Sequence, residues 1–163
     1  EDCEFCKDNY QKWGEEGRII YDTPDVLGVW SCTPVFPGQV LILPREHITI
    51  KKDLQGEVLT NYWNAEEEIL PVIQRICADD LDRLRNFYES LKSDPPLKRS
   101  PELAEQMLND PRWGLPVIDQ LTGYNGNYKS REIGVDHLHK HLYPITDMDK
   151  DKGISKLLEE RAR

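Results

Sequence analysis

Three histidines of this 163-residue chain stand at alternate positions in the run His137-Leu138-His139-Lys140-His141. An extended backbone turns successive side chains to opposite faces, so these three imidazoles would share one face of a strand. A plain polar strand surface is the simplest reading of such a row, and a metal site built from imidazoles is another. The third is nucleophilic catalysis. An imidazole can attack phosphorus and leave as a phospho- or nucleotidyl-imidazole, which divides a hard displacement into two easier ones. A neighbouring imidazole can then stabilise the leaving group, orient it or exchange a proton with it. His139 is the candidate nucleophile, because it alone has a histidine two positions away on each side, His137 and His141. The cluster is internal and continues into Leu142-Tyr143-Pro144, so it does not read as an expression tag.

A second chemistry lies at Cys3-Glu4-Phe5-Cys6, two soft ligands at a spacing common in zinc sites. The same spacing also serves a dithiol redox pair or a plain reduced segment. Imidazoles elsewhere favour zinc. Cys3, Cys6, His47 and His137 would complete a closed, structural tetrahedral site, although spacing alone does not bring these four together. Asn125, Asn127, Lys129, Ser130 and Arg131 precede the triad in a segment rich in Gly and Asn. Their amides, hydroxyls and cations would suit the charge on a transferring phosphoryl oxygen, and an ordinary polar turn explains them equally. Ile19, Val29, Trp30 and Cys32 are candidates for a base or leaving-group pocket, with simple core packing as the stronger reading.

Several elements must position these groups. Ile19-Ile20-Tyr21 and Val26 to Trp30 are apolar runs separated by Asp22-Thr23-Pro24-Asp25, which reads as a hairpin. Val40-Leu41-Ile42-Leu43 is a third short strand, entered through Phe36-Pro37-Gly38 and ended by Pro44, so an antiparallel meander is expected. Leu54, Val58, Tyr62, Ala65, Ile69, Val72 and Ile76 then recur at helical steps. Pro71 should kink or split that run. Leu81, Leu84, Phe87, Tyr88 and Leu91 continue the helical pattern, and Pro101 to Asn109 reads as a short helix capped by Ser100. No regular element is expected from Trp113 to Arg131. The last strand is expected from Val135 to Tyr143, followed by a charged tail from Asp147 in which Ile154, Leu157 and Leu158 would dock a final helical turn.

The bulk properties exclude some functions. The length suits one domain, residues 1–163, large enough to bury a core. No stretch approaches the roughly 18 apolar residues that cross a membrane. The opening residues lack the basic start and apolar run of a signal peptide. A formal charge of -9 argues against a long nucleic-acid track, while a small phosphorylated ligand needs only a local pocket. The cysteines suit a reducing compartment, and a cytoplasmic location is expected.

The run His137-Leu138-His139-Lys140-His141-Leu142-Tyr143 resembles the alternating signature of the histidine-triad (HIT) superfamily. Pro34-Val35-Phe36-Pro37-Gly38-Gln39-Val40-Leu41-Ile42-Leu43-Pro44-Arg45-Glu46-His47 resembles that family's upstream strand and its proline-basic-x-histidine ending. The similarity covers about residues 3 to 75 and 124 to 144, with a longer segment between them, an insertion around 79–113. It implies an α+β fold, an antiparallel sheet packed with helices, with an expanded helical segment before the triad. It further implies a homodimer whose sheets join, and a nucleotide hydrolase or transferase that forms a covalent nucleotidyl-histidine on His139. The His137 carbonyl would orient that ring, and His141 would lie near the phosphate or leaving group. The zinc-bearing subset of the family implies Cys3, Cys6, His47 and His137 as ligands of a structural zinc.

The sequence departs from the family at several positions. Lys140 stands where an apolar residue is usual, Ser31 where many members carry a ribose-binding acid, and Gln39 where a histidine is usual. Glu132-Ile133-Gly134 replaces the usual phosphate-holding residues. Two alternatives therefore stand beside the enzyme. One is a nucleotide-binding regulatory protein with weak turnover. The other is a zinc-stabilised protein that binds partners through the Asp79 to Trp113 region.

Overall fold

The hydroxyl of Thr23 closes the first turn, accepting from the Val26 N–H at 3.0 Å and donating to the Val26 carbonyl at 3.1 Å. It joins β1 (Ile19–Asp22) to β2 (Val26–Trp30) as the expected hairpin. β3 (Val40–Pro44) then pairs antiparallel with the whole of β2, from Val26–Pro44 to Trp30–Val40, completing the meander. The computed structural model describes Cys6, residues 9–125 and 137–153, Ser155, Lys156 and Glu159, with Lys51, Tyr124 and Asn125 described by backbone alone. The expected docking of Ile154, Leu157 and Leu158 lies outside the described residues.

Two further strands, β4 (Asp119–Asn125) and β5 (His139–Ile145), complete an antiparallel sheet in the order β1-β2-β3-β5-β4. β4 corrects the expectation of no regular element between Trp113 and Arg131. Among the described residues it is an edge strand that pairs with β5 alone, and its Asp119-Gln120-Leu121-Thr122-Gly123 composition lacks the apolar alternation that marks strands with a buried face. β5 also runs two residues beyond the expected Tyr143. It does so past Pro144 because β3 stops pairing with it at Leu142, so β4 alone continues the ladder there.

The two faces of the sheet differ. Val26, Trp30, Val40, Ile42 and Leu142 pack on α2 (Gly56–Asp79), α3 (Leu81–Ser93) and α4 (Ser100–Leu108) in one buried cluster. α2 buries Tyr62, Ala65, Ile69, Ile73 and Ile76, the stripe read from the sequence. It comes so close to β2 that a methyl group on Gly28 would overlap Ile69 and sit 2.9 Å from Tyr21 Cβ. Pro71 neither splits nor ends this 24-residue helix. The carbonyl that Pro71 cannot serve belongs to Glu67, which lies on the exposed side of the helix, while buried Ile69 and Ile73 hold both sides to the sheet. The break falls instead at Asp80, between α2 and α3.

Ser100 does not cap α4. It is the helix's first residue and fully buried, with Arg99 at the cap position, because the Ser100 N–H already turns back to Leu97 O at 3.1 Å. α3 and α4 fill the expanded segment, and their Leu84, Phe87, Tyr88, Leu91, Ala104 and Met107 share the core cluster of the sheet.

On the opposite face, α1 (Tyr10–Glu15) lays Trp13 over Leu27, Val29, Leu41 and Leu43. Beside that apolar area the same face carries the inward side chains of β5.

Candidate active site

Register decides which β5 side chains reach this face. Leu41 pairs with His141 and Ile42 with Lys140, so His139, His141 and Tyr143 lie on the Leu41 side and Lys140 on the helix side. The rings of His139 and His141 meet edge-on with centroids 5.2 Å apart, and His141 stacks on Tyr143 at 5.8 Å and 13°. Phe36 abuts the edge of Tyr143 at 5.5 Å. Lys140, as expected, points away. It is fully buried, and its ammonium donates to Tyr62 O and to Glu66 Oε1, each at 2.7 Å, while lying 4.3 Å from the centre of the Tyr62 ring. Glu66 Oε2 also accepts from the Thr122 hydroxyl at 2.9 Å, so this pair clamps α2 to β5 and β4.

His139 Nδ1 donates to the His137 carbonyl at 2.7 Å, which puts the proton on Nδ1 and leaves Nε2 unprotonated in the neutral ring. Burial pushes the His139 pKa down, opposed by that backbone bond, so the neutral ring is favoured at neutral pH. Burial also pushes His141 down, to about 3, with the neighbouring His139 adding to the effect. Gln39, buried just before β3, lies 3.1 Å from His141 Nδ1 through its amide nitrogen.

His137 precedes β5, and its side chain turns to a different group. The Leu138 N–H donates to Ile48 O at 2.6 Å, which holds the His47 and His137 segments side by side. Their rings meet edge-on at 5.2 Å. Cys6 Sγ lies 3.2 Å from His47 Nδ1 and 3.7 Å from His137 Nδ1, and the three ligand atoms all fall within 4.8 Å of one another. Tetrahedral zinc sets a sulfur and a nitrogen ligand about 3.5 Å apart, a spacing that the two Cys6 distances bracket. His137 Nε2 donates to Pro44 O at 2.8 Å, which leaves Nδ1 as the ligating atom and orients the ring. Cys3 lies outside the described residues.

Of the expected phosphate contacts, Asn125 is the last residue of β4, its backbone in register with His139. Its side chain, with Asn127, Lys129, Ser130 and Arg131, lies outside the described residues. The candidate pocket of Ile19, Val29, Trp30 and Cys32 does not form. Val29 and Ile19 belong to the cluster around Trp13, while Trp30 and Cys32 pack on the helix side, because neighbours along a strand face opposite ways. Ser31, at the usual ribose position, is buried and its hydroxyl oxygen accepts from the Thr33 N–H at 3.2 Å.

The family model for the HIT domain matches residues 14–148. The chain belongs to the HIT family. The fold is that of a HIT family member from Bacillus subtilis, which shares 18% identity at a TM-score of 0.50 and covers 99% of this chain and 94% of that one. A Zn-bound histidine triad family protein from Mycobacterium smegmatis shares 16% identity at a TM-score of 0.46, covering 82% and 69% of the two chains. The NitFhit protein of C. elegans shares 17% identity at a TM-score of 0.47 over 90% of this chain, which spans only 26% of that longer protein. No curated protein matches by sequence.

Within this HIT fold, the sequence reading missed two contacts to His141. Tyr143 follows the same two-residue alternation as the histidines and was recoverable from it. Gln39 becomes a neighbour of His141 only through the β3–β5 register, which spacing along the chain does not reveal.

Proposed function

We propose that this HIT protein is a nucleotide hydrolase or nucleotidyltransferase that works through a covalent nucleotidyl-histidine on His139. The observation that carries this reading is the His139 Nδ1–H donation to the His137 carbonyl, because it fixes the tautomer whose unprotonated Nε2 would be the nucleophile. Nε2 attacks a phosphorus of a phosphoanhydride, phosphoramidate or phosphate ester. The bond to the leaving group breaks, and water or an acceptor then displaces the nucleotidyl group. His141 faces the same space and stabilises charge on the departing group.

Cys6, His47 and His137, with Cys3, would hold a structural zinc, which has no need of an open coordination position. Its chemistry is to pin the segment that carries the His137 carbonyl. A reducing cytoplasmic setting suits cysteines that serve as metal ligands. β4 is a sheet edge, and a homodimer joined there is the expected assembly.

The engaged hydroxyl of Ser31 favours one alternative, a nucleotide-binding protein with weak turnover, since a serine cannot give a ribose the bidentate grip of a carboxylate. Intact-mass analysis after brief mixing with dinucleoside polyphosphates, nucleoside phosphoramidates and nucleotide sugars separates the two. An adduct on wild-type protein that disappears in His139→Asn supports the enzyme. Binding with neither adduct nor turnover supports the alternative.

A further inference from the structure

Both ends of the Gln39 amide are engaged, and its oxygen only accepts while its nitrogen only donates. The backbone N–H of Val35 donates to Gln39 Oε1 at 2.7 Å. That bond sets the amide's direction, because a flipped amide would place its NH₂ against the Val35 N–H. Nε2 therefore donates to His141 Nδ1 across 3.1 Å, and the His141 proton resides on Nε2. The turn that holds Gln39 is itself fixed. Gly38 has a φ of +83°, which few other residues adopt, and its N–H donates to the buried Tyr88 hydroxyl of α3 at 2.8 Å. The expanded helical segment thus buttresses the residue that orients His141.

We propose that Gln39 is a positioning residue that holds His141 as the neutral Nε2–H imidazole, and that the site in consequence prefers phosphoanhydrides to phosphoramidates. This rests on the nucleotidyl-transfer reading above. With an anhydride, His139 Nε2 attacks phosphorus, the N–P bond forms and the P–O bond to the bridging oxygen breaks. The bond's electron pair stays on that oxygen, which departs as an anion and needs only a hydrogen bond from His141 Nε2–H. Water next attacks the same phosphorus, the N–P electron pair returns to His139, and the water's proton passes to solvent. With a phosphoramidate the leaving nitrogen must gain a proton. A neutral imidazole donates a hydrogen bond readily but gives up that proton poorly, and an amide behind it cannot relay another.

Gln39→Glu tests this, since a carboxylate still accepts from Val35 but now also accepts from His141. Nitrogen NMR of the histidine rings should show an Nε2 proton and an unprotonated Nδ1 on His141 in the wild type, and an Nδ1 proton in Gln39→Glu. Wild-type kcat should be higher on a dinucleoside polyphosphate than on the matched nucleoside phosphoramidate. Gln39→Glu should lower kcat on the polyphosphate about 10²-fold, as for loss of one oriented donor, with KM changed far less. A His141 ring carrying its proton on Nδ1 in the wild type, or unchanged by Gln39→Glu, overturns the positioning role. Equal or faster wild-type turnover of the phosphoramidate overturns the preference. If no substrate is turned over, the nucleotidyl-transfer reading and the preference fall together, while the NMR result still decides the positioning role.

Discussion

His139 and His141 sit side by side on one strand, yet each has a different backing: a carbonyl behind Nδ1 of the first, an amide behind Nδ1 of the second. This difference assigns a lone pair to one and a proton donor to the other. It also makes pH a direct test. Burial lowers the His139 pKa from the usual 6.5, so a fall in rate with acid should begin below that value. A kcat/KM profile whose acid limb is centred above 6.5 would contradict the buried, neutral nucleophile. His141 carries a matching stability consequence. Its folded pKa, about 3, lies below the unfolded 6.5, so its contribution is fully present above 6.5 and is lost as pH falls toward 3. Denaturant midpoints should fall over that window and do so less steeply in a His141→Asn variant. The residue types and spacing of His139, His141, His47, His137 and Cys6 were legible in the sequence. The side chain that backs His141 was not, because register rather than proximity in the chain supplies it.

At the scale of elements, legibility followed the apolar pattern. β1 to β3 and α2 advertised themselves through apolar runs or period, whereas Asp119, Gln120, Thr122 and Gly123 leave β4 with little apolar pattern. Pro71 misled because the rule against internal proline counts a lost hydrogen bond. It does not count the buried isoleucines that hold the helix on either side. Lys140 shows what lies beneath the triad strand. Its side chain is fully buried, while that of Glu66 is 21% exposed, and this asymmetry predicts unequal mutants. Glu66→Leu leaves a buried ammonium without its counter-charge and should cost about 3–5 kcal/mol. Lys140→Met leaves a carboxylate that water can reach and should cost clearly less. Urea unfolding of the two variants checks the order, and equal losses would contradict the clamp.

Across the whole molecule, two segments more than 130 positions apart meet where Cys6 approaches His137. That contact joins the candidate metal group to the proposed nucleophile through one residue, whose ring faces Cys6 and whose carbonyl orients His139. Elemental analysis of protein prepared without chelator should find about one zinc per chain, and Cys6→Ser should lower both zinc content and thermal midpoint. Metal-free wild-type protein with an unchanged midpoint would contradict a structural ion.

The central claim is that His139 becomes covalently nucleotidylated, and intact-mass analysis during rapid mixing with a nucleotide substrate tests it most directly. The account predicts a mass increase of one nucleotidyl group on wild-type protein that decays with turnover and is absent from folded His139→Asn. Turnover that proceeds undiminished in His139→Asn would contradict it.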